Sequence, residues 1–93
     1  MTRTVLVTGS SRGLGASIVK TLAKQGFQVV INYYQSEDAA EKLVSEIGEA
    51  HAIAIRADVT NRSEVDEMIN KATEYFGQID VVVNNALVDF KFD

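Results

Sequence analysis

Four short runs rich in β-branched residues, Thr4 to Val7, Gln28 to Ile31, Ala52 to Ile55 and Asp80 to Val83, constrain this chain more than any other feature. Each is too short and too continuously apolar for an amphipathic helix, so each reads as a parallel strand buried on both faces. Helix-period patterns fill the gaps between them. The first carries Leu14, Ile18, Val19, Leu22 and Ala23 at steps of three and four and stops at Gly26, a residue suited to a left-handed C-terminal cap. The second carries Ala39, Ala40, Leu43, Val44 and Ile47 and stops at Gly48, with Ser36 as its candidate N-cap and Glu37 and Asp38 in the first turn. The third carries Val65, Met68, Ile69, Ala72 and Phe76 and stops at Gly77, and Asn61 with Glu64 three residues on forms a capping-box pattern.

The order is therefore β-α-β-α-β-α-β, which right-handed crossovers turn into an α/β, doubly wound parallel sheet with helices on both faces. The expected strand order is 3-2-1-4, with a ligand crevice beyond the C-terminal ends of strands 1 and 4, where the order reverses. Strand 4 should then be an apolar edge at Val81, Val82 and Val83, and the tail from Asn84 to Asp93 carries large apolar residues with no evident place to dock. These features predict one domain over 1–93 that is incomplete as it stands, the first part of a longer sheet.

Composition narrows the function classes. Ninety-three residues hold at most one domain. A net charge of -4 argues against general nucleic-acid binding, which needs a basic face. No apolar stretch approaches the ~20 residues of a membrane span, and the start leads into a strand rather than a signal peptide, so a cytoplasmic protein is expected. With no cysteine and one histidine, thiol catalysis, disulfides and multi-histidine or cysteine metal sites drop out, and no metal site is predicted. His51 precedes strand 3 at the end opposite the crevice and reads as a solvated loop residue. Tyr75 and Phe76, at the end of the third helix, are expected in the core.

The chemistry concentrates between strand 1 and the first helix, in Thr8-Gly9-Ser10-Ser11-Arg12-Gly13-Leu14-Gly15. A strand that turns through glycines into a helix leaves the first helical N–H groups unpaired and aimed at one point, with the positive end of the helix dipole behind them. That is an anion-binding arrangement. The spacing Gly9-x-x-x-Gly13-x-Gly15 is neither Gly-x-Gly-x-x-Gly nor a triphosphate-binding loop, which requires Gly-Lys after four residues where this chain has Leu14. A tight turn without a ligand is the alternative, but glycines this dense weaken a fold unless something needs close backbone approach.

Thr-Gly-x-x-x-Gly-x-Gly, followed by Asp58-Val59 after strand 3 and Asn84-Asn85-Ala86 after strand 4, resembles the short-chain dehydrogenase/reductase family across essentially the whole chain. The loop and Val30-Ile31-Asn32-Tyr33 look most like the 3-oxoacyl-(acyl-carrier-protein) reductases of fatty acid biosynthesis. The resemblance implies a Rossmann-like fold, an oxidoreductase activity on a small-molecule or acyl-carrier-protein-linked carbonyl, and homo-oligomers when the chain is complete. It implies cofactor contacts from Gly9, Ser11, Arg12, Gly13, Leu14 and Gly15. Asp58 would take the adenine amino group and Val59 pack on the ring, although Asp58 could equally cap the turn before the third helix. Asn84 would tie strands together, with Asn85 and Ala86 along the ribose. Leu87 stands where the family usually has glycine.

The choice of cofactor rests on Arg12 and the end of strand 2. An enzyme preferring NAD carries an acid about 20 residues past the loop for the ribose 2′-hydroxyl. Here the stretch reads Asn32-Tyr33-Tyr34-Gln35-Ser36, and no carboxylate appears before Glu37. Arg12 offers a fixed cation with forked donors suited to a phosphate, so NADP is expected, with Tyr33, Tyr34 and Ser36 beside it. A solvated loop charge is the other reading of Arg12.

No catalytic residue is assigned. The family's Tyr-x-x-x-Lys pair does not occur: Glu37 follows Tyr33 at that spacing, Asp38 follows Tyr34 and Ile79 follows Tyr75. Two functional classes stay open, the cofactor-binding portion of an NADP-dependent carbonyl reductase, inactive alone, and a non-catalytic dinucleotide-binding module. A signalling receiver domain is a more remote third, because the acid cluster expected after its first strand is lacking.

Overall fold

The computed structural model describes residues 2–85. Its order is β1 (Thr4–Val7), α1 (Gly13–Lys24), β2 (Gln28–Tyr33), α2 (Glu37–Ile47), β3 (Ala52–Arg56), α3 (Arg62–Phe76) and β4 (Val81–Val83). All pairings are parallel and the sheet order is β3-β2-β1-β4, as the alternation of patterns predicts. Among the described residues no helix is long and apolar enough to cross a membrane.

The continuous apolar runs are explained by two cores. Val5 and Val7 of β1 join Val29, Ile31 and Tyr33 of β2 in a cluster with Val19 of α1 and Ala40, Leu43 and Val44 of α2. Leu6 and Val30, one residue out of phase, face the other way and pack with Ile55, Ala57, Met68 and Ala72. Because side chains alternate across a strand, a sheet covered on both faces needs apolar residues at every position of its central strands. Val5, Leu6, Val7, Val29, Val30 and Ile31 are all buried to that end.

Several boundaries differ from expectation. β2 runs two residues further, because Asn32 and Tyr33 pair with Ile55 and Arg56 of β3. The polar Asn32 looks like a strand end in sequence, yet it is buried with its hydrogen bonds satisfied. β4 begins at Val81 rather than Asp80: the Asp80 N–H donates to the Thr4 carbonyl at 2.9 Å, and its carboxylate accepts from the Thr4 N–H at 2.8 Å, pinning the start of the edge strand.

The helix ends divide similarly. α1 closes as expected around Gly26 at φ +95°, with Gly26 N–H donating to the Ala23 carbonyl and Phe27 N–H to that of Leu22, the paired bonds of a Schellman motif. Asn61 caps α3 by accepting from the Glu64 N–H at 3.3 Å, but the Glu64 carboxylate accepts from Asp58 N–H at 3.0 Å instead of returning to Asn61. Ser36 occupies the N-cap position of α2 without a side-chain bond. Its ψ of 57° departs from the extended backbone that turns a capping oxygen onto the helix N–H groups. Tyr75 is exposed, its hydroxyl donating to the Glu49 carbonyl, while Phe76 packs partly against the second core.

Candidate functional site

The C-terminal ends of β1, β2 and β4 meet at the turn between β1 and α1. Thr8 N–H donates to the Val83 carbonyl at 3.0 Å and Ser10 N–H to the Asn32 carbonyl at 2.9 Å, so the turn is stitched to both neighbouring strands. The buried Ser10 Oγ donates to the Val7 carbonyl at 2.7 Å and accepts from the Asn32 N–H at 3.1 Å. Asn32 Oδ1 accepts from Gly9 N–H at 2.9 Å, and its Nδ2 faces the carbonyls of Tyr33, Ile55 and Ala57 at 3.4, 3.4 and 3.2 Å. From the end of β4, Asn85 N–H donates to Thr8 Oγ1 at 2.9 Å and Asn85 Nδ2 to the Gly9 carbonyl at 3.2 Å.

The glycines of the loop serve different needs. Gly9 and Gly13 sit at φ +60° and +59°, backbone that side-chain-bearing residues adopt only with strain. Gly15 is needed for space. A Cβ there would lie 2.6 Å from Asn85 Nδ2 and 2.7 Å from both the Gly9 carbonyl oxygen and Ser10 Cα. The helix it belongs to begins with Arg12 at the N-cap in extended backbone and no side-chain cap, and its first backbone bond is Ala16 N–H to the Arg12 carbonyl. The N–H groups of Gly13, Leu14 and Gly15 therefore open α1 without a carbonyl one turn back.

A cleft of about 560 Å³ lies over this helix start, lined by Gly9, Ser11, Arg12, Leu14, Tyr33, Tyr34, Gln35, Ser36 and Asn85. It gathers the glycine loop, Arg12 and the acid-free stretch after β2 into one place. Leu14 projects into it 71% exposed. Tyr33 is buried, and that burial, together with Glu37 and Glu41 nearby and against the pull of Arg56, raises its hydroxyl pKa above the ordinary tyrosine value.

Asp58 and Val59 follow β3 and do not line this cleft. The Asp58 carboxylate accepts from Thr60 N–H at 2.9 Å and from Thr60 Oγ1 at 2.6 Å, and these bonds hold its pKa below the ordinary aspartate value. Both bonds fall on Oδ1 and cap the turn, and neither uses Oδ2. The strand tie expected of Asn84 is made by Asn85, and Asn84 is exposed. Ala86 and Leu87 lie outside the described residues. His51 lines a hollow of about 330 Å³ at the opposite end of the sheet, with Lys20, Ala23, Lys24, Glu46 and Ile47.

Sequence reasoning passed over Ser10 and Asn32 as parts of the loop's support. The signal available was parity: Asn32 shares the sheet face of Val30, so a polar side chain there is buried and must find partners.

The chain resembles known proteins across this whole region. The model of the short chain dehydrogenase family matches residues 3–92. A 3-oxoacyl-(acyl-carrier-protein) reductase of Staphylococcus epidermidis is 47% identical over 88 residues, covering 92% of this chain and 36% of the relative. One from Synechocystis is 48% identical over 83 residues, 87% of this chain and 34% of the relative. A hydroxynaphthalene reductase-like protein of Metarhizium guizhouense is 42% identical over 86 residues, 90% of this chain and 32% of the relative. Among solved structures, a double variant of a Serratia marcescens short-chain dehydrogenase/reductase superposes with a TM-score of 0.87 at 38% identity, covering 95% of this chain and 37% of that one. The chain thus spans about a third of the length of the relatives it matches. With the family model matched over residues 3–92 and the sheet, loop and cleft arranged as described, this chain belongs to the short-chain dehydrogenase family.

Proposed function

We propose that this chain is the NADP-binding portion of a reductase that transfers hydride from NADPH to a carbonyl, a 3-oxoacyl-(acyl-carrier-protein) reductase or a close relative. The observation that carries the cofactor reading is the meeting of Arg12 with Tyr33, Tyr34, Gln35 and Ser36 in one cleft at the uncapped start of α1. Among the described residues no carboxylate lines that cleft to receive a ribose 2′-hydroxyl, and a guanidinium is available for a phosphate there. The fit also rests on Gly15, which has no space for a Cβ beneath the loop, and on the donor-rich helix start.

In this reading Gly9, Ser11, Gly13, Leu14 and Gly15 present backbone to the pyrophosphate, and Arg12, Tyr33, Tyr34 and Ser36 hold the 2′-phosphate. Val59 packs against the adenine, Asp58 takes its amino group on Oδ2, the oxygen that Thr60 does not use, and Asn85 and Ala86 lie along the ribose. The cofactor supplies the hydride, and this chain's share is to bind and orient it. The substrate class and the acyl-carrier-protein partner are supported by the names of relatives of which this chain covers about a third, homo-oligomers are read from the family resemblance, and the proton donor is placed outside these 93 residues.

Calorimetry tests the reading. NADPH should bind at least about tenfold tighter than NADH, the ratio that a charge-assisted hydrogen bond of ~1.5 kcal/mol produces. Arg12→Ala should remove most of that difference, and equal affinities for the two cofactors in the unaltered chain would sink the assignment. The second reading is a dinucleotide-binding module without catalysis. Turnover of a β-keto thioester with NADPH by the 93-residue chain would contradict the placing of the proton donor elsewhere.

A further inference from the structure

The Arg56 guanidinium lies over the ring of Tyr34, 4.8 Å from its centroid. Arg56 ends β3 and is the register partner of Tyr33, so the stack is built by strand pairing at the C-terminal edge of the sheet. Arg56 is exposed, yet no carboxylate pairs with it: the ion pairs among the described residues are Lys20 with Glu46 and Lys71 with Glu67. Its partner is the aromatic face of Tyr34. Tyr34 in turn lines the cleft beside Arg12, Gln35 and Ser36, at 45% exposure, whereas Arg56 does not line it.

A half-exposed tyrosine directly after a strand has open space on several sides and would sample more than one rotamer. A cation over its face favours one of them. We propose that Arg56 is a positioning residue that fixes the Tyr34 ring as a wall of the cleft, and through that ring sets discrimination between a ribose carrying a 2′-phosphate and one carrying a 2′-hydroxyl. The proposal rests on the NADP reading of the cleft. Arg12 is the direct cation in that reading, and Arg56 acts on selectivity without touching the ligand.

The test is calorimetric titration of the 93-residue chain with adenosine 2′,5′-bisphosphate and adenosine 5′-monophosphate. The unaltered chain should prefer the first. Arg56→Gln should cut the ratio of the two affinities about two- to fivefold, the range expected for an exposed cation–π contact. Arg56→Lys should restore most of it, and Tyr34→Ala, which removes the ring itself, should cut it at least as far as Arg56→Gln. The double variant of Arg56→Gln and Tyr34→Ala should be no worse than Tyr34→Ala alone, because Arg56 acts only through that ring. Losses that add in the double variant would mean that the guanidinium acts by its own charge, and a ratio unmoved by Arg56→Gln would mean that it does not act; either overturns the proposal while sparing the NADP reading. A chain that binds neither probe, or both alike, overturns the two together. Thermal melts should fall by no more than about 2–8 °C, the loss of one such contact, since a merely structural role would move stability and not the ratio.

Discussion

Asn32 and Asn85, from the end of β2 and the end of β4, hold Gly9 between them. Asn32 Oδ1 accepts the Gly9 N–H at 2.9 Å, and Asn85 Nδ2 donates to the Gly9 carbonyl at 3.2 Å. The strands flanking β1 thereby fix the one residue whose positive φ starts the turn. The shape of the loop thus depends on side chains more than 20 residues away in sequence.

Asn32→Asp should expose this dependence. A carboxylate keeps the size but cannot donate to the carbonyls of Tyr33, Ile55 and Ala57, and it places a charge in a buried site. Destabilisation of about 3–5 kcal/mol at neutral pH is expected from urea unfolding. A variant as stable as the parent would show that the side chain is dispensable.

Gly15→Ala and Gly13→Ala should fail for different reasons. The first drives a methyl into Asn85, Gly9 and Ser10, and costs about 1–3 kcal/mol by overpacking. The second meets nothing within 4 Å but must hold φ +59°, costing about 1–2 kcal/mol. Asparagine at position 13, which tolerates that backbone, should recover part of the loss, and asparagine at position 15 should recover none. Thermal denaturation of the four variants separates strain from overlap.

Acid titration should single out Asp58. Its two bonds from Thr60 lower the folded pKa, so their contribution is present above the unfolded value and disappears as pH falls through the folded one. Carbon-detected NMR should find Asp58 titrating below the ordinary aspartate range, and Thr60→Val should bring it upward. The stability difference between parent and Thr60→Val should persist at pH 6 and vanish in strong acid; a difference that grows on acidification would reverse the sign argued here.

The exposed edge should govern behaviour at high concentration. Val81 and Val82 are 44% and 48% exposed on β4, a parallel edge strand with an apolar surface. Val82→Lys should reduce concentration-dependent self-association in light scattering while changing stability by no more than about 0.5 kcal/mol, as for other exposed positions. Unaltered scattering would place the sticky surface elsewhere.

Strand order, helix number and the position of the glycine turn after β1 were legible in the sequence because each depends on local periodicity and on rules of chain handedness that hold for any βαβ unit. Arg12 and the acid-free stretch after β2 could be paired by reasoning for the same cause: topology puts the ends of β1 and β2 side by side. What packs against what was beyond reach. Ser36 has the composition of a cap but not the backbone of one, and Tyr75 has an aromatic ring but faces solvent. Asp58 binds its own turn, and Asn32 turns from an apparent strand end into the buried support of the loop. Sequence alone determined the architecture and the location of the cleft, since local propensity and connectivity suffice for both. Only the tertiary structure decided which polar side chains remain free to meet a ligand and which are consumed in holding the backbone, because a hydrogen bond between distant strands leaves no mark on the periodicity of either.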